Sequence, residues 1–272
     1  MQIWQVMLGP LLASLLLPWI LVYYGLHIVR RQIIFVDLAL AQVAALGACL
    51  AILLGYDAHD WQSYACSLAF TIAGAAIFTL TLARTHIVAQ EALIGIVYVV
   101  AAAGAILMLS QSAGGNEELR RSLVGEILVV SPGEIGRTFL LYLGVGIIHY
   151  LFRRQFQMIT YEPQAAIARG IRIARWDFLF YALFGLVVTT YVHLAGVLLV
   201  FSYLITPVVC ATLLVDDPRR RAVLGWLFAT LGSGIGLYAS YQFDLPTGAA
   251  IVCALGVLLL IVFPFARLRK RA

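Results

Sequence analysis

Charged side chains are scarce in this chain: Asp, Glu, Lys and Arg make up 11% of its 272 residues, against 63% hydrophobic ones. A water-soluble domain carries roughly 25% charged and 45–50% apolar residues. The chain therefore lacks the polar surface needed to enclose a core of this size in water, and its mean hydropathy of +0.98 agrees. Catalytic spacings are missing too. There is no HExxH, no GxSxG and no phosphate-binding GxxxxGK(S/T), the patterns that place a zinc pair, a strained nucleophile or a phosphate cradle. The four cysteines, Cys49, Cys66, Cys210 and Cys253, lie in apolar stretches without CxxC spacing, which reads as small packing residues rather than a redox or zinc site. No repeat with a period of roughly 20–50 residues and no low-complexity segment is present. A single transmembrane domain over residues 1–272 is the simplest organisation.

What the chain has in abundance is long apolar runs. A helix needs ~20 such residues to cross the hydrocarbon core. The runs predict an all-α integral membrane bundle with spans near 7–27, 35–54, 64–83, 91–110, 136–152, 177–193, 196–215, 222–241 and 246–265. That is nine, with eight to ten as the range, and 177–215 reads as two helices or one bent one. The first run starts at Met7 with no cationic region before it, so it reads as a span and not as a cleaved signal. Segment 117–131 is polar in its first half and stops at Ser131-Pro132; it reads as a short helix packed on the bundle. The net charge of +5 comes from arginines set between the apolar runs, as in Arg30-Arg31, Arg153-Arg154 and Arg219-Arg220-Arg221. Such links lie on the cytoplasmic side, which puts the C-terminus inside and, with nine spans, the N-terminus outside. No soluble fold carries a basic face, which excludes nucleic acid as a partner.

Ionisable groups inside spans are costly and mark functional positions. Asp37 is the clearest, near the start of the second span, with Gln42 five residues on. The two lie ~140° apart around a helix. Capping, or pairing of Asp37 with Arg30 or Arg31 near the interface, is the competing reading. Glu91 opens the fourth span, where the helix dipole favours an acid, so it serves as a cap or as part of a pathway. His193 lies at the turn before Gly196 and reads as a hydrogen-bonded interface residue before it reads as a metal ligand. Asp57, His59 and Asp60 share one external loop. Carboxylate plus imidazole suits a borderline metal, but a solvated loop fixes no geometry, and a plain polar loop is the favoured reading. Pro207, inside the seventh run, frees a carbonyl and permits a kink.

Several segments, in order, resemble the permease subunits of bacterial ABC importers for zinc, manganese and iron. These are the arginine pair followed by the Asp37-to-Gly47 helix, Glu91-Ala-Leu-Ile-Gly95, Leu123-Val-Gly-Glu-Ile-Leu128, and Tyr161-Glu-Pro-Gln-Ala-Ala-Ile-Ala-Arg-Gly170. Gly196-Val-Leu-Leu-Val, Leu204-Ile-Thr-Pro207 and Asp244-Leu-Pro-Thr-Gly248 continue the series. The resemblance implies a homodimeric pore in the bacterial inner membrane, driven by separate ATPase subunits that hold ATP and Mg, with no cofactor on this chain. It also implies a periplasmic or lipid-anchored binding protein that delivers the ion. Residues 161–170 would then form the cytoplasmic coupling helix, through Tyr161, Glu162, Pro163, Ala165 and Gly170. Glu162-Pro163 suits a helix start and Gly170 its end.

In one place the chain departs from that family. Typical members carry Asp-x-x-x-Ser-His-Ala in the second span. Aligned through Gly47, Gln42 stands at the histidine position and Leu38 at the aspartate position, with Asp37 displaced by one. Glutamine is an oxygen donor but a poor zinc ligand, so a different ion, a different site or a non-metal cargo stands as an alternative. An ion-coupled secondary carrier or a channel is the competing class.

Overall fold

A computed structural model describes residues 2–16, 18–57, 60–82, 90–110 and 131–269. Among them every regular element is a helix: α1 (Gln2–Leu16), α2 (Pro18–Arg31), α3 (Val36–Leu53), α4 (Trp61–Leu82), α5 (Gln90–Leu109), α6 (Pro132–Leu151), α7 (Arg153–Tyr161), α8 (Pro163–Ala168), α9 (Ile173–Ala195), α10 (Val197–Leu214), α11 (Pro218–Phe243) and α12 (Thr247–Arg269). An all-helical solution is what lipid demands, since backbone groups there must be satisfied within the segment. Among the described residues, eight helices or helix pairs are long and apolar enough to span, from Gly9–Arg31 to Thr247–Arg267. α6 and α7, bent by 73° where they meet, raise the number to nine if the pair is counted as one span. The nine predicted runs match these spans. The 177–215 stretch is two helices, broken at Gly196, whose φ of 77° suits a residue without Cβ. The predicted helix at 117–131 falls almost wholly outside the described residues.

The chain divides into two compact units, Met1–Val29 with Leu123–Leu141 and Leu194–Ala272, and Arg30–Ser122 with Tyr142–His193. In the first, α11 starts on Asp217, whose side chain accepts from the Arg220 amide at 2.9 Å ahead of Pro218 at the first helical position. It ends at Asp244 in the left-handed region, with Ser240 Oγ donating to the Leu245 carbonyl at 2.7 Å. α12 then returns close along α11: a Cβ on Gly236 would overlap the backbone of Ile251. Tyr203 of α10 and Ser233 of α11 share a hydrogen bond of 2.5 Å. In the second unit, α3 packs on α4 and α5. Lipid supplies no hydrophobic push between spans, so close backbone approach and interhelical hydrogen bonds hold them.

Candidate functional site

The second unit carries most of the predicted site residues, and they are positioned by the corner between α2 and α3. α2 ends at Arg31, and Gln32 takes a left-handed φ of 58°. The chain then turns into α3, with the Val36 amide bonded to the Ile33 carbonyl at 3.2 Å. From outside, the Glu91 carboxylate accepts the Ile34 amide at 2.9 Å. Glu91 thus satisfies an orphan donor ahead of α3 rather than one in its own first turn. Asp37 follows in the first turn of α3 at 1% exposure. Neither of its carboxylate oxygens has a hydrogen-bond partner among the described residues.

Arg30 and Arg31 do not pair with it. The Arg31 guanidinium lies 2.8 Å from Asp177 Oδ1 through Nη1, donates from Nε to Thr160 Oγ1 at 3.0 Å, and sits 4.5 Å over the Phe180 ring. Arg30 stacks 5.7 Å over Tyr161. Asp37 is therefore a buried acid with no cation paired to it among the described residues, in a segment where charge is expensive.

Gln42 is buried at 6% exposure, roughly 7.5 Å farther along α3. Farther still, Gly47 presses on α4, where a Cβ would meet the Cys66 carbonyl oxygen at 2.7 Å. This level of the unit is a seam of hydroxyls. Ser63, Ser67 and Thr71 form a buried i, i+4, i+8 stripe on α4. Thr71 donates to the Ser67 carbonyl at 2.7 Å and shares a 2.9 Å bond with Thr189, whose hydroxyl must then donate. Tyr64 pairs with Thr190 at 2.9 Å, and His193 Nε2 lies 3.3 Å from Ser67 Oγ. His193 is therefore level with Gly47, roughly 15 Å beyond Asp37 along the α3 axis. The structure brings Glu91 to the corner that carries Asp37 and sets Gln42 between Asp37 and His193, but it does not join those two.

Asp57 and Asp60 close their own loop, the Asp60 carboxylate accepting the Asp57 amide at 3.1 Å. His59 lies outside the described residues. No group of three or more His, Cys, Asp or Glu side chains that could hold a metal ion gathers among the described residues. Pro207 belongs to the first unit, buried inside α10. Its missing N–H frees the Tyr203 carbonyl one turn back.

At the other predicted element, α7 ends at Tyr161 and the chain turns at Glu162 (φ −137°, ψ 58°) into α8, with Pro163 at its first position. Two bonds close α8: the Gly170 amide donates to Ile167 at 2.9 Å and the Ile171 amide to Ala166 at 3.0 Å. With Gly170 at φ 73°, this is a full Schellman cap. Of α8, only Ala166 is buried; Glu162, Pro163 and Gly170 are exposed, Ala165 is half-buried, and Ile167 is 57% exposed. A rigid, well-capped knob therefore projects an apolar residue into solvent.

Sequence reading did not find the Arg31–Asp177–Thr160 cluster or the hydroxyl seam. One signal was available: a second in-span acid, Asp177, at the start of a run that also needed a cation.

Set beside known proteins, this arrangement has a home. The profile of the ABC 3 transport family matches residues 3–266. The chain belongs to the ABC 3 transport family. Its matched relatives include the manganese transport system membrane protein MntC of Listeria monocytogenes, 30% identical over 65% of this chain and 63% of that protein. The manganese import system permease protein ScaB of Streptococcus gordonii is 25% identical over 91% of this chain and 87% of its own length. The chain thus spans less than two thirds of the length of the manganese relatives it matches first. Among solved structures, PsaBC from Streptococcus pneumoniae in complex with Fab superposes with a TM-score of 0.80 at 22% identity, covering 95% of this chain and 91% of that one. That likeness concerns the fold: this family member shares its architecture as a multi-pass helical membrane protein.

Proposed function

We propose that this chain is the permease subunit of an ATP-driven importer that moves a divalent metal ion across the bacterial inner membrane by alternating access. It acts as one domain over residues 1–272 and carries no ATP site of its own. The observation that carries the reading is Asp37, buried in a spanning helix with no hydrogen-bond partner for its carboxylate among the described residues. A hard anionic donor that no described residue neutralises suits a transient passage for a cation. Gln42 adds a neutral oxygen deeper on the same helix, and Glu91 fixes the corner from which both project. The names of the manganese relatives support the class of cargo.

The chain works as a homodimer, with ATPase subunits that bind ATP and Mg seated on the cytoplasmic knobs around Glu162–Gly170. A periplasmic or lipid-anchored binding protein delivers the ion. The exposed Ile167 and the rigid Schellman cap support the docking role, since a short helix that transmits motion must not deform. His193 and Pro207 are secondary positions along the path. The loop acids Asp57 and Asp60, with His59, are weak candidates for attracting cations at the outer mouth. A non-metal cargo is the second reading, favoured by glutamine at position 42 and by the lack of a three-ligand cluster among the described residues.

Cellular manganese, zinc and iron, measured with and without the chain and with Asp37→Ala, test the proposal. One of the three metals falls when the chain is deleted, and Asp37→Ala fails to restore it. Equal metal content in all three strains would sink the metal reading.

A further inference from the structure

We propose that Arg31 is a positioning residue through which movement of the cytoplasmic knob reaches the helix that carries Asp37. The inference rests on the permease reading above and names a part of its machinery. Three elements meet on this one guanidinium. Nε takes Thr160, two residues before the Glu162 turn into α8; Nη1 takes Asp177 in the first turn and a half of α9; and the plane lies on Phe180 one turn farther along α9. Arg31 itself is the last residue of α2, six residues before Asp37, and only the short corner 32–35 separates it from α3.

That corner has little freedom. The left-handed Gln32 and the Ile33–Val36 turn set its path, and Glu91 holds the Ile34 amide. A displacement at Arg31 therefore passes into the first turn of α3 rather than being absorbed. The side chains of Arg31 and Asp177 are 10% and 17% exposed, so solvent screens their attraction weakly. The planar fork also defines direction as well as distance, which a lysine ammonium does not. Nη2 is buried and has no hydrogen-bond partner among the described residues. A fork with one free tooth can exchange partners as α7 moves without first giving up both existing bonds. Arg30, stacked on Tyr161, provides a parallel link to the same turn.

The test uses the full complex of permease and ATPase in proteoliposomes, with ATP hydrolysis and manganese, zinc and iron uptake measured together, and amide exchange followed after trapping with ATP and vanadate. In Asp177→Asn and in the milder Thr160→Val, hydrolysis stays near the wild-type rate while metal moved per ATP falls, by at least ~5-fold for Asp177→Asn, the lower end of ordinary coupling between sites. Asp177→Glu, which keeps the charge, restores most of the uptake. Trapping changes the protection of residues 32–38 in the wild type; in Asp177→Asn the change stays confined to 153–170. The inference is overturned if hydrolysis and uptake fall in proportion, if both variants transport normally, or if residues 32–38 respond to trapping equally in wild type and variant. Absence of ATP-driven uptake by the wild type removes the metal reading and leaves the exchange measurement, which needs no cargo, to decide the role of Arg31.

Discussion

Replacing Gly47 by alanine perturbs the α3–α4 contact at its tightest point. The new Cβ would lie 2.7 Å from the Cys66 carbonyl oxygen, 2.8 Å from Ser67 Cα and 3.0 Å from the Cys66 carbonyl carbon. All three are backbone atoms, so no rotamer change relieves the overlap and the helices themselves must part. Ordinary carbon contacts lie at about 3.5–4.0 Å, and a gap of about 0.5–1 Å forfeits a quarter to a half of each neighbouring contact energy. Overpacking of this kind costs about 1–3 kcal/mol. Because all the overlapping atoms are backbone, the upper half of that range applies, about 2–3 kcal/mol; the gain from alanine's better helix propensity, about 1 kcal/mol, leaves a net loss of about 1–2 kcal/mol. The assay is reversible unfolding of the purified protein in mixed micelles of mild detergent and dodecyl sulfate. Gly95→Ala is the control within the same unit, because nothing lies within 4 Å of its Cβ position; it should gain up to about 1 kcal/mol from helix propensity alone. Gly47→Val should be worse than Gly47→Ala. If Gly47→Ala matches the wild type, or Gly95→Ala is equally damaging, close backbone approach is not what holds α3 on α4.

Asp37→Asn replaces a buried acid that has no hydrogen-bond partner among the described residues, so unfolding in the same micelles should show a gain of at least roughly 1 kcal/mol together with loss of metal uptake. A stability loss there would mean that the carboxylate is bonded in the protein. Gly170→Ala forces a Cβ into the left-handed region at a cost of roughly 1–2 kcal/mol, and should lower the amount of ATPase that copurifies. Gly170→Asn should retain more of it, because asparagine tolerates that region; equal recovery with both variants would detach the Schellman cap from docking.

Much of this fold was legible because lipid leaves the chain few choices. The runs 35–54, 91–110 and 196–215 fall within a residue of α3, α5 and α10, since each apolar run of that length must be helical. α7 was not legible. It occupies what reads as a link, Arg153-Arg154 look like cytoplasmic punctuation, and nine residues give too few turns for the buried Phe156, Ile159 and Thr160 to declare a period. At the site, Asp37 stands out in the sequence simply by being an acid in an apolar run. Its lack of a partner does not, because the rival cation at position 31 is claimed by Asp177, 146 residues away, and nothing local signals that pairing. The hydroxyl seam was hidden for a related reason: serine and threonine at i, i+4 look unremarkable until a second helix supplies Thr189 and Thr190 opposite them.

The central claim is that this chain, powered by a separate ATPase, carries a divalent metal past Asp37. The most direct measurement is uptake of radiolabelled manganese into proteoliposomes holding the complex, with ATP supplied on the knob side and the delivering protein on the other. The account predicts uptake that requires ATP, competes with unlabelled manganese, and disappears in Asp37→Asn while ATP is still hydrolysed. Uptake of manganese that is indifferent to ATP, or equal in wild type and Asp37→Asn, would contradict it.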